Sequence, residues 1–293
     1  MILEKLVPID SSYHKKYQKL FQLIGTQLDR QGWIHLFTIW TLTVSGIVVT
    51  MDATNRFVYW MWDGWTIGLI KLAIASFIFF RILKPENLWK LGHGLLNTRE
   101  IMNHIITGFG LIIFGWIDPD IFKQTNDSYS DELSSSALLY NDAISVVGVL
   151  PYLIAFASCL LIFQFTLQLD EENRRWSVAD WGGKMKFLTI SVILMGTSIL
   201  LGIILEDPVV STAGAVSFPF ALIALIWPNH VRHLQRARFY PLFIFAMFLS
   251  VRAPWFLIPL AILFFSIRTV NYLRFGIVYP SFGVDFLDEQ EHV

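Results

Sequence analysis

The chain has 293 residues, of which 55% are hydrophobic and only 15% charged, and its mean hydropathy is +0.55. Soluble domains carry about 25% charged residues. The deficit here is spread along the whole length, which argues against a soluble domain on a single anchor, and a net charge of −1 argues against a nucleic-acid partner.

The first stretch, residues 1–31, reads as a cytoplasmic amphipathic segment. Tyr13, Tyr17, Leu20, Phe21, Leu23, Ile24 and Leu28 recur near helical spacing, with Lys15, Lys16 and Lys19 between them. Two placements stand open: flat on an anionic lipid surface, or packed on the rest of the protein. The segment lacks the compact apolar core and small-residue cleavage site of a secretory signal. The first hydrophobic run is therefore expected to act as an uncleaved anchor.

A transmembrane bundle is expected over 32–273. Crossing a bilayer core of about 30 Å takes roughly 20 apolar residues in a helix. Runs of that kind fall at about 33–51, 65–83, 101–117, 143–169, 187–205 and 209–227. Trp60, Trp62 and Trp65 cluster after the first run and read as an interfacial aromatic belt. The stretch 118–142 carries six acidic residues and a single lysine, and reads as an acidic outer loop. The fourth run is uncharged from Ala143 to Leu169. Pro151 and the chain's one cysteine, Cys159, lie inside it, and a buried apolar role suits that cysteine. The end of the chain is ambiguous because Arg252-Ala253-Pro254 interrupts it. Either one kinked helix follows Phe239, giving seven crossings, or two do, at about 239–251 and 254–273, giving eight.

Lysine and arginine decide between these, because they concentrate in cytoplasmic loops. With the N-terminus inside, sixteen fall in inner segments and two, Arg56 and Lys123, in outer ones over the first six crossings. Two final helices also place Arg268 and Arg274 inside. The expectation is an all-α polytopic bundle of eight crossings in a cell (inner) membrane. Both termini are cytoplasmic, with a tail at 274–293. The stretch 239–251 is only 13 residues, about 20 Å at 1.5 Å per residue, so it is expected to be half-length or re-entrant.

Chemistry is sparser. Lys71 is the charged residue well inside a run, and charge at depth is costly and commonly functional. Asp63, Asp118, Glu206 and Asp207 are expected at the same outer face, with Arg252 nearby, where they would line an outward polar cavity. Lys71 also lies close enough to the outer end to snorkel. On the inner side, Asp170, Glu171 and Glu172 pair carboxylates of the kind used in acid–base work. His230 and His233 lie three apart, and His35 and His104 are the two histidines that come nearest to depth on separate crossings, as a haem would require. The plain reading of each is a solvated helix end or an interfacial histidine. The sequence names no cofactor.

Three functions fit. The chain reads first as a non-catalytic subunit or scaffold, with the lipid bilayer and partner membrane subunits as its contacts. It reads second as a transporter or channel built around Lys71. It reads third as an enzyme acting on a lipid or isoprenoid carrier through Glu171/Glu172 or His230/His233.

Overall fold

A computed structural model of the chain describes residues 2–31, 33–50, 59–62, 64–83, 98–117, 132–162, 164–170, 175–179, 181–227 and 231–276. Uncharged apolar runs satisfy their backbone internally as helices, and ten α-helices occur among these residues. They are α1 (Ile2–Leu6), α2 (Ser12–Gln31), α3 (Trp33–Thr50), α4 (Trp65–Ile78), α5 (Thr98–Trp116), α6 (Glu132–Ile162), α7 (Trp181–Ile204), α8 (Pro208–Ile226), α9 (Val231–Arg252) and α10 (Leu257–Phe275). A π-helical stretch, Phe79–Leu83, extends α4, and a 3-10 turn, Pro254–Phe256, leads into α10. Among the described residues, three stretches are long and apolar enough to cross a membrane: Met185–Ile204, Pro208–Ile226 and Pro254–Phe275. His35–Val49 and Val146–Ile162 are shorter apolar helices.

Three boundaries differ from expectation. The run at 143–169 is not one helix. Its helix begins at Glu132, inside the expected outer loop, and stops at Ile162. The chain then forms a two-stranded antiparallel ribbon, β1 (Thr166–Asp170) and β2 (Arg175–Ala179), with Thr166 opposite Ala179 and Asp170 opposite Arg175. Asp170 therefore ends a strand rather than a helix. The alternation of Thr166-Leu-Gln-Leu and Trp176-Ser-Val suits a pleated ribbon better than a membrane helix. The stretch at 239–251 is not half-length either. It belongs to the 22-residue α9, about 33 Å long, which a turn at Ala253 separates from α10.

The helices meet in pairs by distinct means. α3 and α5 run parallel: a Cβ on Gly108 would lie near Leu42, and one on Gly115 near Ile47. At their crossing, a Cβ on Gly46 would fall 1.9 Å from the Ile112 carbonyl oxygen, and one on Gly115 1.9 Å from that of Thr43. Each backbone thus occupies the space where the other helix would carry a side chain. α6 and α7 run antiparallel and are joined by hydroxyls. Ser158 donates to the Ser191 carbonyl at 2.8 Å, and Ser191 to the Ser158 carbonyl at 2.9 Å. Farther along, Ser198 donates to the Pro151 carbonyl at 2.7 Å. Small residues and interhelical hydroxyl bonds are the two routes to helix association where lipid removes the hydrophobic drive.

The main core gathers Val44, Val48, Ile112, Leu160, Met195 and Phe256 from five different segments. The outward faces carry Ile70 and Phe77 of α4, Ile193 and Leu200 of α7, and Ile262 and Phe265 of α10, all exposed.

Candidate functional site

Among the described residues, Lys71, Asp207 and Arg238 each serve the end of a helix. The last carbonyls of a helix have no partner within it and carry partial negative charge, and the first N–H groups are positive by the same logic. Lys71, two turns into α4, reaches the end of α5. Its Nζ donates to the Gly115 carbonyl at 2.9 Å and to the Ile117 carbonyl. Arg238 does the same for α6. It is 1% exposed, and it donates from Nε to the Ile162 carbonyl at 3.3 Å and from Nη2 to the Phe165 carbonyl. That contact explains why α6 stops short of the expected boundary, since the chain turns where the guanidinium takes its carbonyls.

Asp207 is the mirror image. It is buried at the N-terminus of α8, where Oδ1 accepts from the Val209 and Val210 amides at 2.9 and 3.3 Å. Pro208 follows at the position whose amide would have no helical partner. Oδ2 accepts from the Tyr152 hydroxyl of α6 at 2.9 Å, so the carboxylate ties α6 to α8. Glu206 beside it is exposed and has φ of 56°, a left-handed turn that joins α7 to α8.

Arg252 is buried at the end of α9. There the segment 59–62, turning at Trp60 with φ of 65°, meets the chain: Trp60 N–H donates to the Val251 carbonyl at 2.8 Å, and Met61 N–H to that of Arg252 at 3.3 Å. Trp60, Trp62 and Trp65 are exposed, whereas Trp255 of the following turn is buried with its ring against Gly68 of α4. Lys71, Asp207 and Arg252 are thus held by different helix ends. Lys71 serves the end of α5, Asp207 the start of α8, and Arg252 stands at the end of α9. Asp63, Asp118, Glu171, Glu172 and His230 lie outside the described residues. His233 is half-buried, its ring 6.4 Å from that of Trp227. His35 on α3 and His104 on α5 are both buried. The first lies 6.2 Å from the Phe79 ring, and the second has Nδ1 against the Glu100 carbonyl of its own helix. No cluster of three metal-ligating side chains occurs among the described residues.

A cavity of about 30 Å³ lies between α3, α6 and α9, lined by Thr38, Thr41, Ser45, Tyr152 and Cys159 together with apolar side chains. It has room for roughly two waters. The Thr41 and Ser45 hydroxyls donate to carbonyls of their own helix at 2.7 Å each, so they present little polarity to that space.

Two of these residues escape a reading of the sequence. Arg238 stands in a basic stretch that looks like a loop. Its signal is position: Leu234, Ala237, Arg238 and Leu242 follow helical spacing, and all four are buried. Tyr152 offers the phenol of an otherwise uncharged run, a group that needs a partner when buried. No protein-family model matches the chain, and no curated protein or solved structure matches it.

Proposed function

We propose that the chain is a multi-pass protein of a cell membrane, crossing it eight times with both termini in the cytoplasm, and that it serves as a non-catalytic subunit or scaffold of a membrane complex. The observation that carries this reading is the employment of its buried charges. Lys71, Asp207 and Arg238 are each engaged by the backbone of a helix end. Intramembrane charges that move ions or protons face a water-filled path. Here they terminate helices, and the space between α3, α6 and α9 holds only a water or two. Such an interior is built to hold a shape, and the outer faces are left to carry interactions.

The eight-crossing topology draws support from the directions of the helices. α3 and α5 run parallel with α4 returning between them, and α6 and α7 run antiparallel. The sixteen-to-two bias of lysine and arginine supports the same reading, in which the ends of α5 and α9 lie outside and the end of α6 inside.

Native mass spectrometry of the tagged protein, extracted in mild detergent from its own host, tests the function. The expected result is a stoichiometric partner protein. A chain that flies alone, bare or with a cofactor or isoprenoid-carrier mass, overturns the subunit reading in favour of transport or catalysis. Protease protection of a C-terminal tag tests the topology separately, and a tag cleaved from the outer side sinks the eight-crossing arrangement.

A further inference from the structure

The N-terminal helix docks by the wrong face for an ordinary packed helix. α2 lies against the end of α10. His14 Nε2 is 3.1 Å from the Tyr272 carbonyl, Gln18 donates to the Arg274 carbonyl at 3.2 Å, and a Cβ on Gly25 would run into the Arg274 side chain. The Tyr272 hydroxyl donates to the Val7 carbonyl at 2.6 Å, which ties down the approach to α2 as well. The docked face carries His14, Gln18 and Gly25, with Phe21 half-buried beside them. At about 100° per residue, Tyr13, Tyr17, Leu20 and Ile24 form a separate stripe about a quarter turn away. All four are exposed, from 39% to 66%. Lys15, Lys16 and Lys19 occupy the remaining arc together with the exposed Leu23, and the Lys16 ammonium lies 5.9 Å from the Tyr17 ring at the edge of the stripe.

The hydrogen bonds of α2 fall on Tyr272 and Arg274, in the last turn of α10, and the Arg274 side chain reaches along α2 to Gly25. α2 therefore sits at the C-terminal end of α10. If α10 stands across the membrane, α2 sits at the level of its inner surface. The docked face is then lateral, so the apolar stripe faces the acyl chains and the lysines face headgroups and water. Ordinary packing would have buried the stripe and exposed the polar face.

We infer that α2 is an interfacial helix whose Tyr13/Tyr17/Leu20/Ile24 stripe enters the inner leaflet and whose lysines select anionic lipid headgroups. A helix of this kind binds through apolar burial plus attraction to anionic lipid, and each basic residue near such a surface strengthens binding roughly fivefold. The inference rests on α10 crossing the membrane and not on the subunit reading.

The test uses the full chain reconstituted in vesicles of phosphatidylcholine alone or mixed with phosphatidylglycerol, with spin labels on single introduced cysteines. Unlabelled positions serve as background for the buried Cys159. A label at Phe265→Cys, on the exposed face of α10, is the control. If it is more accessible to a water-soluble nickel chelate than to oxygen, α10 does not cross, and the membrane reading falls. With the control in lipid, Tyr17→Cys and Leu20→Cys are expected to favour oxygen severalfold more than Lys15→Cys and Lys19→Cys. The preference should grow with phosphatidylglycerol and shrink when Lys15, Lys16 and Lys19 are replaced by Gln, read from Leu20→Cys. A nickel-accessible Leu20→Cys in anionic vesicles overturns the inference. So does lipid insertion indifferent to phosphatidylglycerol. A label that is water-accessible in vesicles but immobilised in native membranes also overturns it, because a protein then covers the stripe.

Discussion

The α3–α5 pair and the α6–α7 pair solve one problem in opposite ways. The first removes side chains altogether, so that Gly46 and Gly115 let two backbones touch. The second adds side-chain hydrogen bonds, with Ser158 and Ser191 exchanging donors across the interface. Yet both pairs use the same finish. A cation from a third helix covers the C-terminal carbonyls of one member: Lys71 of α4 for α5, and Arg238 of α9 for α6. The difference teaches where tolerance lies. A backbone contact has no room for any added atom, whereas a hydroxyl pair loses only its own bonds when removed.

The sharpest way to break the comparison is Gly115→Leu. Its first side-chain carbon would meet the Thr43 carbonyl at 1.9 Å, and the helices must separate. Overpacking ordinarily costs about 1–3 kcal/mol, and backbone against backbone sits at or above the top of that range. The expected result is loss of the monodisperse peak in detergent size exclusion. A wild-type profile would show the glycine crossing to be unimportant.

Arg238→Met comes next. It strips the guanidinium from the Ile162 and Phe165 carbonyls in a fully buried place, and bonds from charged groups are worth about 1.5–3 kcal/mol. Thermal unfolding in detergent should show a clear drop, with Arg238→Lys recovering only part, since an ammonium cannot reproduce the planar fork. Lys71→Met attacks the equivalent cap on the other pair. Its effect should be smaller, about 0.3–1 kcal/mol, because Lys71 is only half-buried. An equal loss for both would erase the distinction between the pairs' ends. The mildest test is Ser158→Ala, expected at about 0.6 kcal/mol. A double-mutant cycle with Ser191→Ala should recover that coupling, and additive effects would mean the hydroxyls do not act on each other.

Hydropathy located the helices because it measures what lipid requires. It misplaced their ends because ends are set by polar partners. α9 begins at Val231 rather than Phe239 because Arg238 is useful inside a helix, where it serves α6. α6 begins at Glu132 in a serine-rich acidic stretch that reads as loop by composition alone. Lys71 was legible as an unusual charge, but its use was not, since its acceptors lie 44 and 46 residues away on another helix. Asp207 was legible as part of a turn before Pro208, and its cap follows directly from that spacing. Its tie to Tyr152 depends on how α6 and α8 pack, which no local pattern records.

The docking of α2 also has a consequence in time. His14 and Tyr272 are 258 residues apart. At synthesis rates of about 5–20 residues per second, the first of these waits roughly 10–50 s for the second to be made. Throughout that interval α2 has no α10 to rest on. Closure of the two ends is therefore a late event, and a chain truncated before Tyr272 never reaches it.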